Sequence, residues 1–368
     1  MREREWQWPD NSSRQLQRGE RIARELKAPV AIGEALASRK SDDFDPRALA
    51  QRPLADCTAS MGEPPGTAEA AATLLQAART GRLGILCDFD VDGATSQAIL
   101  VETLRQISGQ DDLQPPVAVP ERNTEGFGPN PRCLDQLARA GVTCIAILDC
   151  GTAAGFLLDA FCEANGIDVV VIDHHPPHGD QLPNAAILLN PWATAPTSPG
   201  EHGTLCAAGL TWFVARSMLR QCGLSKDRAK AVLQRITLYA ALGTSCDLMP
   251  LDVPFNRSLV RHGVRLLGDL AARGWGLSAI CDAAKLGQSH CSADFGWKLG
   301  PRLNAGSRMG ESDLAARCLR ATDRDTAREL AQRLERHNQE RRDLGKRARA
   351  ELDSRPNPAE FDGGPVNV

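Results

Sequence analysis

Four short segments of this chain carry the residue types that bind hard or borderline divalent cations. Asp88-Phe89-Asp90-Val91-Asp92-Gly93 places aspartates at alternate positions directly after the apolar run Leu83 to Cys87. Asp149 follows Cys144 to Leu148, and Asp173-His174-His175 follows Val169 to Ile172. Asp247 closes Gly243-Thr244-Ser245-Cys246-Asp247 behind an apolar helical stretch. Carboxylates with imidazole and no cysteine at the ligand positions suit Mn2+ or a similar ion at least as well as Mg2+, and the chemistry they support is hydrolysis. Ligands at the carboxyl ends of strands are what an α/β sheet offers for building one site along its edge.

Each segment also has a plainer local reading. Asp88 to Gly93 suits a loop of turn-formers, or the D-x-D of a haloacid-dehalogenase-type phosphatase, which supplies a nucleophilic aspartate and has no need of Asp173-His174-His175. If strand alternation continues through it, at least two of its carboxylates share a face. Asp149 alone serves equally as the N-cap of the helix after it. Two histidines directly after an aspartate are the most specific signal, because neighbouring side chains diverge: one imidazole faces a cation, the other a substrate phosphate. Gly243 with Asp247 equally describes a helix C-cap and a turn. Gly300 to Gly310 reads as a flexible loop in which Arg302, Asn304 and Arg308 meet phosphate oxygens, or as a surface turn with incidental arginines. His178 reads as a loop residue, and His202, His262, His290 and His337 read as structural.

These residues need a scaffold. Short Val/Ile/Leu runs at 83–88, 117–120, 143–149, 168–173 and 186–189 alternate with helical patterns near 94–107, 131–140 and 153–165, which predicts a parallel sheet covered on both faces. Beyond residue 204 the chain reads as helical at 205–219, 230–242 and twice within 257–285. Thr322 to Leu352 predicts one long polar helix, bridging through solvent, with Thr322 and Asp325 as a capping box. Its second half is rich in arginine, from Arg333 to Arg349. Prolines 29, 46, 53, 64 and 65 punctuate the first 80 residues, which predicts a peripheral arm ending in a helix at 67–80.

Composition bounds the rest. The 368 residues are 42% hydrophobic and 24% charged, enough for a buried core and for two domains or one large domain with appendages. No apolar run reaches the roughly 18 residues of a membrane span, and the charged start Met1 to Trp6 lacks the pattern of a signal peptide, so a cytoplasmic protein with no membrane partner is expected. The twelve cysteines include no C-x-x-C pair and read as structural thiols. The net charge of −3 argues against a nucleic-acid-coated surface but allows a local basic groove.

Taken together, D-F-D-V-D-G, L-D-C-G-T, V-I-D-H-H and G-T-S-C-D resemble, in order, the four motifs of the DHH phosphoesterase superfamily. Thr124 to Gly128, Asn190-Pro191, Leu205 to Gly209 and Pro301 to Gly310 resemble its RecJ family of single-strand-specific 5′→3′ DNA exonucleases, from about residue 30 to the C-terminus. The resemblance implies two divalent ions, Mn2+ or Mg2+, on Asp88, Asp90, Asp149, His174 and Asp247, with Asp149 between them. It implies His175 at the scissile phosphate, Asp92 and Asp173 as accessory groups, and Arg302, Asn304, Arg308 and Arg122 on the DNA backbone. The implied reaction is metal-assisted phosphodiester hydrolysis to 5′-mononucleotides in DNA repair and recombination, with single-stranded DNA as partner and a single-strand-binding protein or helicase as a further one. Two positions depart from the RecJ pattern: Cys87 replaces a usual glycine, and Gly306-Ser307 a usual Ala-Gly.

The expected division is an arm at 1–80, a DHH phosphoesterase domain at 81–320, a connecting helix at 321–355, and at 356–368 the truncated start of a DHHA1-type domain. Without that domain, a phosphodiesterase of short oligonucleotides or cyclic dinucleotides and a non-catalytic repair scaffold are the alternatives. With aromatic residues at only 4%, DNA affinity is expected to be weak and salt-sensitive.

Overall fold

A computed structural model describes residues 13–39, 45–177 and 182–354. The expected division at 356–368, and His178, lie outside them. The chain opens with helices α1 (Ser13–Leu26), α2 (Val30–Arg39), α3 (Pro46–Gln51), α4 (Leu54–Met61) and α5 (Thr67–Arg79). An alternating region follows: β1 (Leu83–Cys87), α6 (Val91–Ser108), β2 (Val117–Ala118), α7 (Pro131–Arg139), β3 (Cys144–Leu148), α8 (Gly155–Asn165), β4 (Asp168–Ile172), β5 (Ile187–Leu189) and α9 (Pro191–Thr194). The remainder is helical: α10 (Ala207–Gln221), α11 (Lys226–Cys246), α12 (Pro254–Leu267), α13 (Leu270–Ala283), a π-helical stretch Asp294–Leu299, α14 (Gly300–Leu303), α15 (Ala305–Arg308), α16 (Leu314–Leu319) and α17 (Arg324–Ser354).

The sheet is parallel throughout, in the order β2-β1-β3-β4-β5. Unbroken apolar strands are buried on both faces because helices cover both. Alternate residues divide between two cores: Ile85, Ala146, Leu148, Val170 and Ile172 join the core containing α5, α6, α10 and α11. Leu86, Ile145, Ile147, Val169 and Val171 pack with α7 and α8. Each Val, Leu or Ile side chain among them contributes about 1.5–3 kcal/mol on burial. From β1 the chain steps one way to β2 and the other way to β3, so the topological switch lies between β1 and β3. A crevice opens at the carboxyl ends of the strands at such a point.

Several local expectations are corrected. Helix α5, the end of the expected arm, is a core element with Ala70, Ala71 and Leu74 fully buried. The three aspartates do not continue the strand: β1 stops at Cys87, Asp90 is the N-cap of α6, and Asp92 lies in its first turn. Gly243 is inside α11, not after it, and Asp247 takes the cap position. Residues 300–310 are mostly helical turns instead of a flexible loop; Pro301 fits because a first helical turn needs no N–H there. Helix α17 is capped by Asp323, whose Oδ1 accepts from Thr326 N at 2.8 Å, not by Thr322. Its first half buries one stripe, Ala327, Leu330, Ala331 and Leu334, while its second half beyond Asn338 buries no residue.

Candidate metal centre and adjoining basic cleft

The carboxyl ends of β1, β3 and β4 deliver Asp88, Asp149 and Asp173-His174-His175 to one place, and the end of α11 brings Asp247 to them. Three groups of ligand-type atoms lie within 4.8 Å of one another: Asp88, Asp90 and Asp149; Asp149, His174 and His175; Asp92, His174 and Asp247. Asp149 and His174 are each common to two groups. His174 Nε2 stands 3.4 Å from Asp149 Oδ1, 3.6 Å from Asp247 Oδ2 and 3.8 Å from Asp92 Oδ2. Asp149 holds the left-handed conformation at φ 63°, which aspartate tolerates better than most residues with a Cβ. It caps no helix, since α8 starts without a side-chain cap.

Accessory contacts fix this arrangement. Asp90 Oδ1 accepts from the backbone N–H groups of Asp92 (2.8 Å) and Gly93 (3.1 Å). Asp92 sits against the start of α10, accepting from Ala207 N at 2.7 Å and Ala208 N at 3.0 Å. The helix dipole favours a carboxylate there. Asp173 accepts from Thr152 N and His174 N, and its Oδ1 lies 2.8 Å from His175 Nδ1. Asn190 is fully buried and ties the loops together, donating to Thr152 Oγ1 and His175 O while accepting from Trp192 N.

Electrostatics set the ionisable groups apart. Burial, then the charge of Asp90, pushes Asp88 up to about 7. Burial with Asp92 and Asp90 does the same to Asp247, also to about 7. Asp149 is raised well above the usual carboxylate range by burial and the surrounding aspartates. Burial holds His174 below the usual imidazole value. Burial opposes ionisation of Asp173, yet its hydrogen bonds with His175 and Thr152 hold it at about 2. The hydrogen bond that His175 Nδ1–H donates to Asp173 raises this imidazole to about 9, so it is a cation at neutral pH. Four buried atoms, Asp88 Oδ1, Asp149 Oδ1, His174 Nε2 and Asp247 Oδ2, have no hydrogen-bond partner among the described residues. Buried polar atoms without partners are costly, and a set of converging oxygens and one nitrogen fits a divalent cation.

A cleft of about 490 Å3 starts at Cys246, next to Asp247, and is lined by Arg302, Asn304, Arg308, Arg341 and Arg342, with Trp297 at its side. Trp297 is 82% exposed. Arg302 is partly engaged, its Nε lying 2.5 Å from Glu335 Oε2. Asn304 Oδ1 is buried without a partner among the described residues. Arg122 stacks over Phe89 at 4.9 Å and, with Arg308, faces the acid centre electrostatically. Arg122 and Arg308 thus act on the acids electrostatically, and Arg302 and Asn304 line the same cleft as Arg308. Trp192 is half-buried and bonded to Gly203 O, whereas Phe127 is 84% exposed.

Sequence reasoning missed Asn190 as an organiser and Arg341 and Arg342 as lining groups. An asparagine before a proline after a strand is a helix-cap signal, and the arginine density of α17 pointed to the other two. Residue 306 faces the carbonyl of Glu311, where a Cβ would come within 2.8 Å. This accounts for glycine at that departure from the family pattern. Cys87 is buried and accepts from Gln97 Nε2 at 3.3 Å.

A doubly covered parallel sheet with an aspartate-histidine centre at its switch point defines a DHH-type fold, and residues 82–244 match the DHH family, N-terminal domain. The chain carries that domain. It is homologous to RecJ: it is 34% identical over 290 residues to the single-stranded-DNA-specific exonuclease RecJ of Dickeya dadantii, covering 76% of this chain and 48% of the relative. The Escherichia coli RecJ is 33% identical over 288 residues, with 76% and 48% covered. A crystal structure of exonuclease RecJ bound to manganese superposes with a TM-score of 0.69 at 28% identity, covering 81% of this chain and 72% of that one. The chain spans about half the length of the curated relatives it matches. Among the described residues no helix is long and apolar enough to cross a membrane.

Proposed function

We propose that this chain is the catalytic core of a metal-dependent exonuclease that hydrolyses single-stranded DNA from its 5′ end to 5′-mononucleotides. The observation that carries it is the set of four unpartnered buried ligand atoms on Asp88, Asp149, His174 and Asp247, in a chain homologous to RecJ. Asp88, Asp90, Asp149, His174 and Asp247 are assigned to two divalent cations, Mn2+ or Mg2+, with Asp149 shared. Bound there, the cations supply Lewis acidity toward the phosphodiester and lower the pKa of water.

The protein's own part is positioning and charge. Asp173 keeps His175 protonated and aimed, so the imidazolium offers a donor to a phosphoryl oxygen. Asp92 is held by α10 and braces His174. Arg122 and Arg308 face phosphates beside the scissile one, and the cleft along Arg302, Asn304, Arg341 and Arg342 gives the strand a basic path. Trp297 and Phe127 are exposed rings on which bases stack. The reading places the protein in the cytoplasm, acting in DNA repair and recombination, with a single-strand-binding protein or helicase presenting the strand. Residues 81–320 are assigned to the phosphoesterase unit and 321–355 to the connecting helix.

The test is release of labelled mononucleotide from 5′-labelled single-stranded DNA with Mn2+ or Mg2+. Wild type is expected to release it and Asp149→Asn is not. Equal release by both proteins overturns the assignment.

A further inference from the structure

A second cavity, of about 920 Å3, lies away from the acid centre, near the upper end of the roughly 300–1,000 Å3 usual for small-molecule sites. Its floor is built on α6 and α11, the two helices whose other ends carry Asp90 and Asp247. Glu102 and Arg105 line it from α6, and Arg235 and Tyr239 from α11. At 1.5 Å of rise per residue these positions stand about 12–22 Å along their helices from Asp90 and Asp247.

The floor is largely satisfied already, with Arg235 Nε buried and without a partner among the described residues. Arg105 donates to Leu113 O and Arg320 O, Arg235 donates to Glu102 and Ala271 O, and Tyr239 donates to Leu319 O. The rim differs. Arg324 and Arg328, one turn apart at the start of α17, are exposed lining residues with no hydrogen-bond or ion-pair partner among the described residues. The same rim carries Trp275, half exposed, and Leu270, 72% exposed. Gly274, at φ 64°, interrupts α13 just before Trp275. This shifts the helical phase, so the indole stays at the rim while Gly276 and Leu277 turn into the core.

Two unpaired guanidiniums suit a phosphate dianion. An indole beside an aliphatic side chain suits a flat, weakly polar ring. Asp111 and Asp282, which also line the cavity, accept from sugar hydroxyls or ring amino groups and repel a polyphosphate or a continuous strand. We propose that this cavity is a second, non-catalytic site that binds a nucleoside 5′-monophosphate, with its phosphate on Arg324 and Arg328 and its base on Trp275. The proposal holds whether or not the acid centre hydrolyses DNA.

The test is calorimetric titration of the protein, in EDTA, with adenosine 5′-monophosphate and separately with inorganic phosphate. Saturable binding of the nucleotide is expected, at least about tenfold tighter than phosphate. The Arg324→Ala/Arg328→Ala double variant and Trp275→Leu are each expected to weaken it by at least about tenfold. Asp149→Asn and Arg341→Ala, at the acid centre and its cleft, are expected to leave it unchanged. The rim side chains are exposed, and unchanged thermal melts of their variants verify that the fold is kept. No saturable heat overturns the proposal, as does binding that survives the rim variants or is lost in Asp149→Asn or Arg341→Ala. Phosphate binding as tight as the nucleotide overturns the assignment of a nucleoside.

Discussion

Gly243 and Asp92 are in contact across the α6–α11 interface: a Cβ on Gly243 would stand 2.8 Å from Asp92 Oδ1 and 2.6 Å from Thr95 Oγ1. The glycine is required by close approach, since its helical backbone has an ordinary conformation. Gly243→Ala is expected to displace Asp92 from Ala207 and Ala208 and to destabilise the fold by about 1–3 kcal/mol through overpacking. Chemical denaturation measures the loss. A stability within about 0.5 kcal/mol of wild type would sink the close-packing account.

Asp149 is shared by two ligand groups, so one substitution disables both. Asp149→Asn is expected to lower nuclease activity at least ~100-fold. Metal-free stability should not fall, because the variant removes a buried carboxylate that lacks a partner at one oxygen. Parallel activity assays and thermal melts in EDTA check the two halves separately.

Stability without metal should depend on pH in an unusual direction. Asp88 and Asp247 sit at about 7 in the folded state, above the ordinary carboxylate value, so the folded state holds protons that the unfolded chain releases near pH 4. Metal-free stability therefore declines as pH rises from about 4 to about 7. Added Mn2+ should reverse that slope, because cations compete with those protons. Melting temperatures from pH 5 to 8, with EDTA and with Mn2+, read both slopes; a metal-free melt that rises with pH would contradict the description of the acid centre.

Asp173 keeps His175 charged to about 9. With Asp173→Asn that support is lost, and His175 should titrate near the ordinary value of about 6.5. The imidazolium's favourable interaction is complete below about 6.5 and disappears as pH passes about 9, so the variant's deficit is greatest between those values. Activity of the variant relative to wild type should be nearer unity at pH 6 than at pH 8. A ratio independent of pH would remove His175 from the reaction.

The cleft predicts how DNA affinity depends on salt. Arg341→Ala is expected to weaken single-strand binding by a similar factor for all sequences and to reduce the salt slope by about 1. Trp297→Ala should cost about 1–3 kcal/mol of stacking while leaving the salt slope intact. Fluorescence anisotropy across a salt series distinguishes the two.

Much of this architecture was legible because its signals are local. Apolar runs such as Val169 to Ile172 can be buried on both faces only in a covered parallel sheet. An aspartate followed by two histidines at a strand end is hard to assign to packing. What was not legible depended on neighbours distant in sequence. Gly300 to Gly310 has the composition of a loop, yet Gly306 is there because the Glu311 carbonyl and Leu314 press against it, and the segment coils into helical turns. Asp88, Asp90 and Asp92 look equivalent by spacing. They part company because Asp90 caps α6, which leaves Asp92 to α10, a helix that begins more than a hundred residues later.

That cap has a practical outcome. Asp90 Oδ1 is bonded to the amides of Asp92 and Gly93, while the same carboxylate faces Asp88 and Asp149. One side chain thus serves both a helix start and a cation position. The solvent-exchange rates of those two amides would serve as a label-free gauge of cation occupancy, readable by hydrogen–deuterium exchange without any substrate.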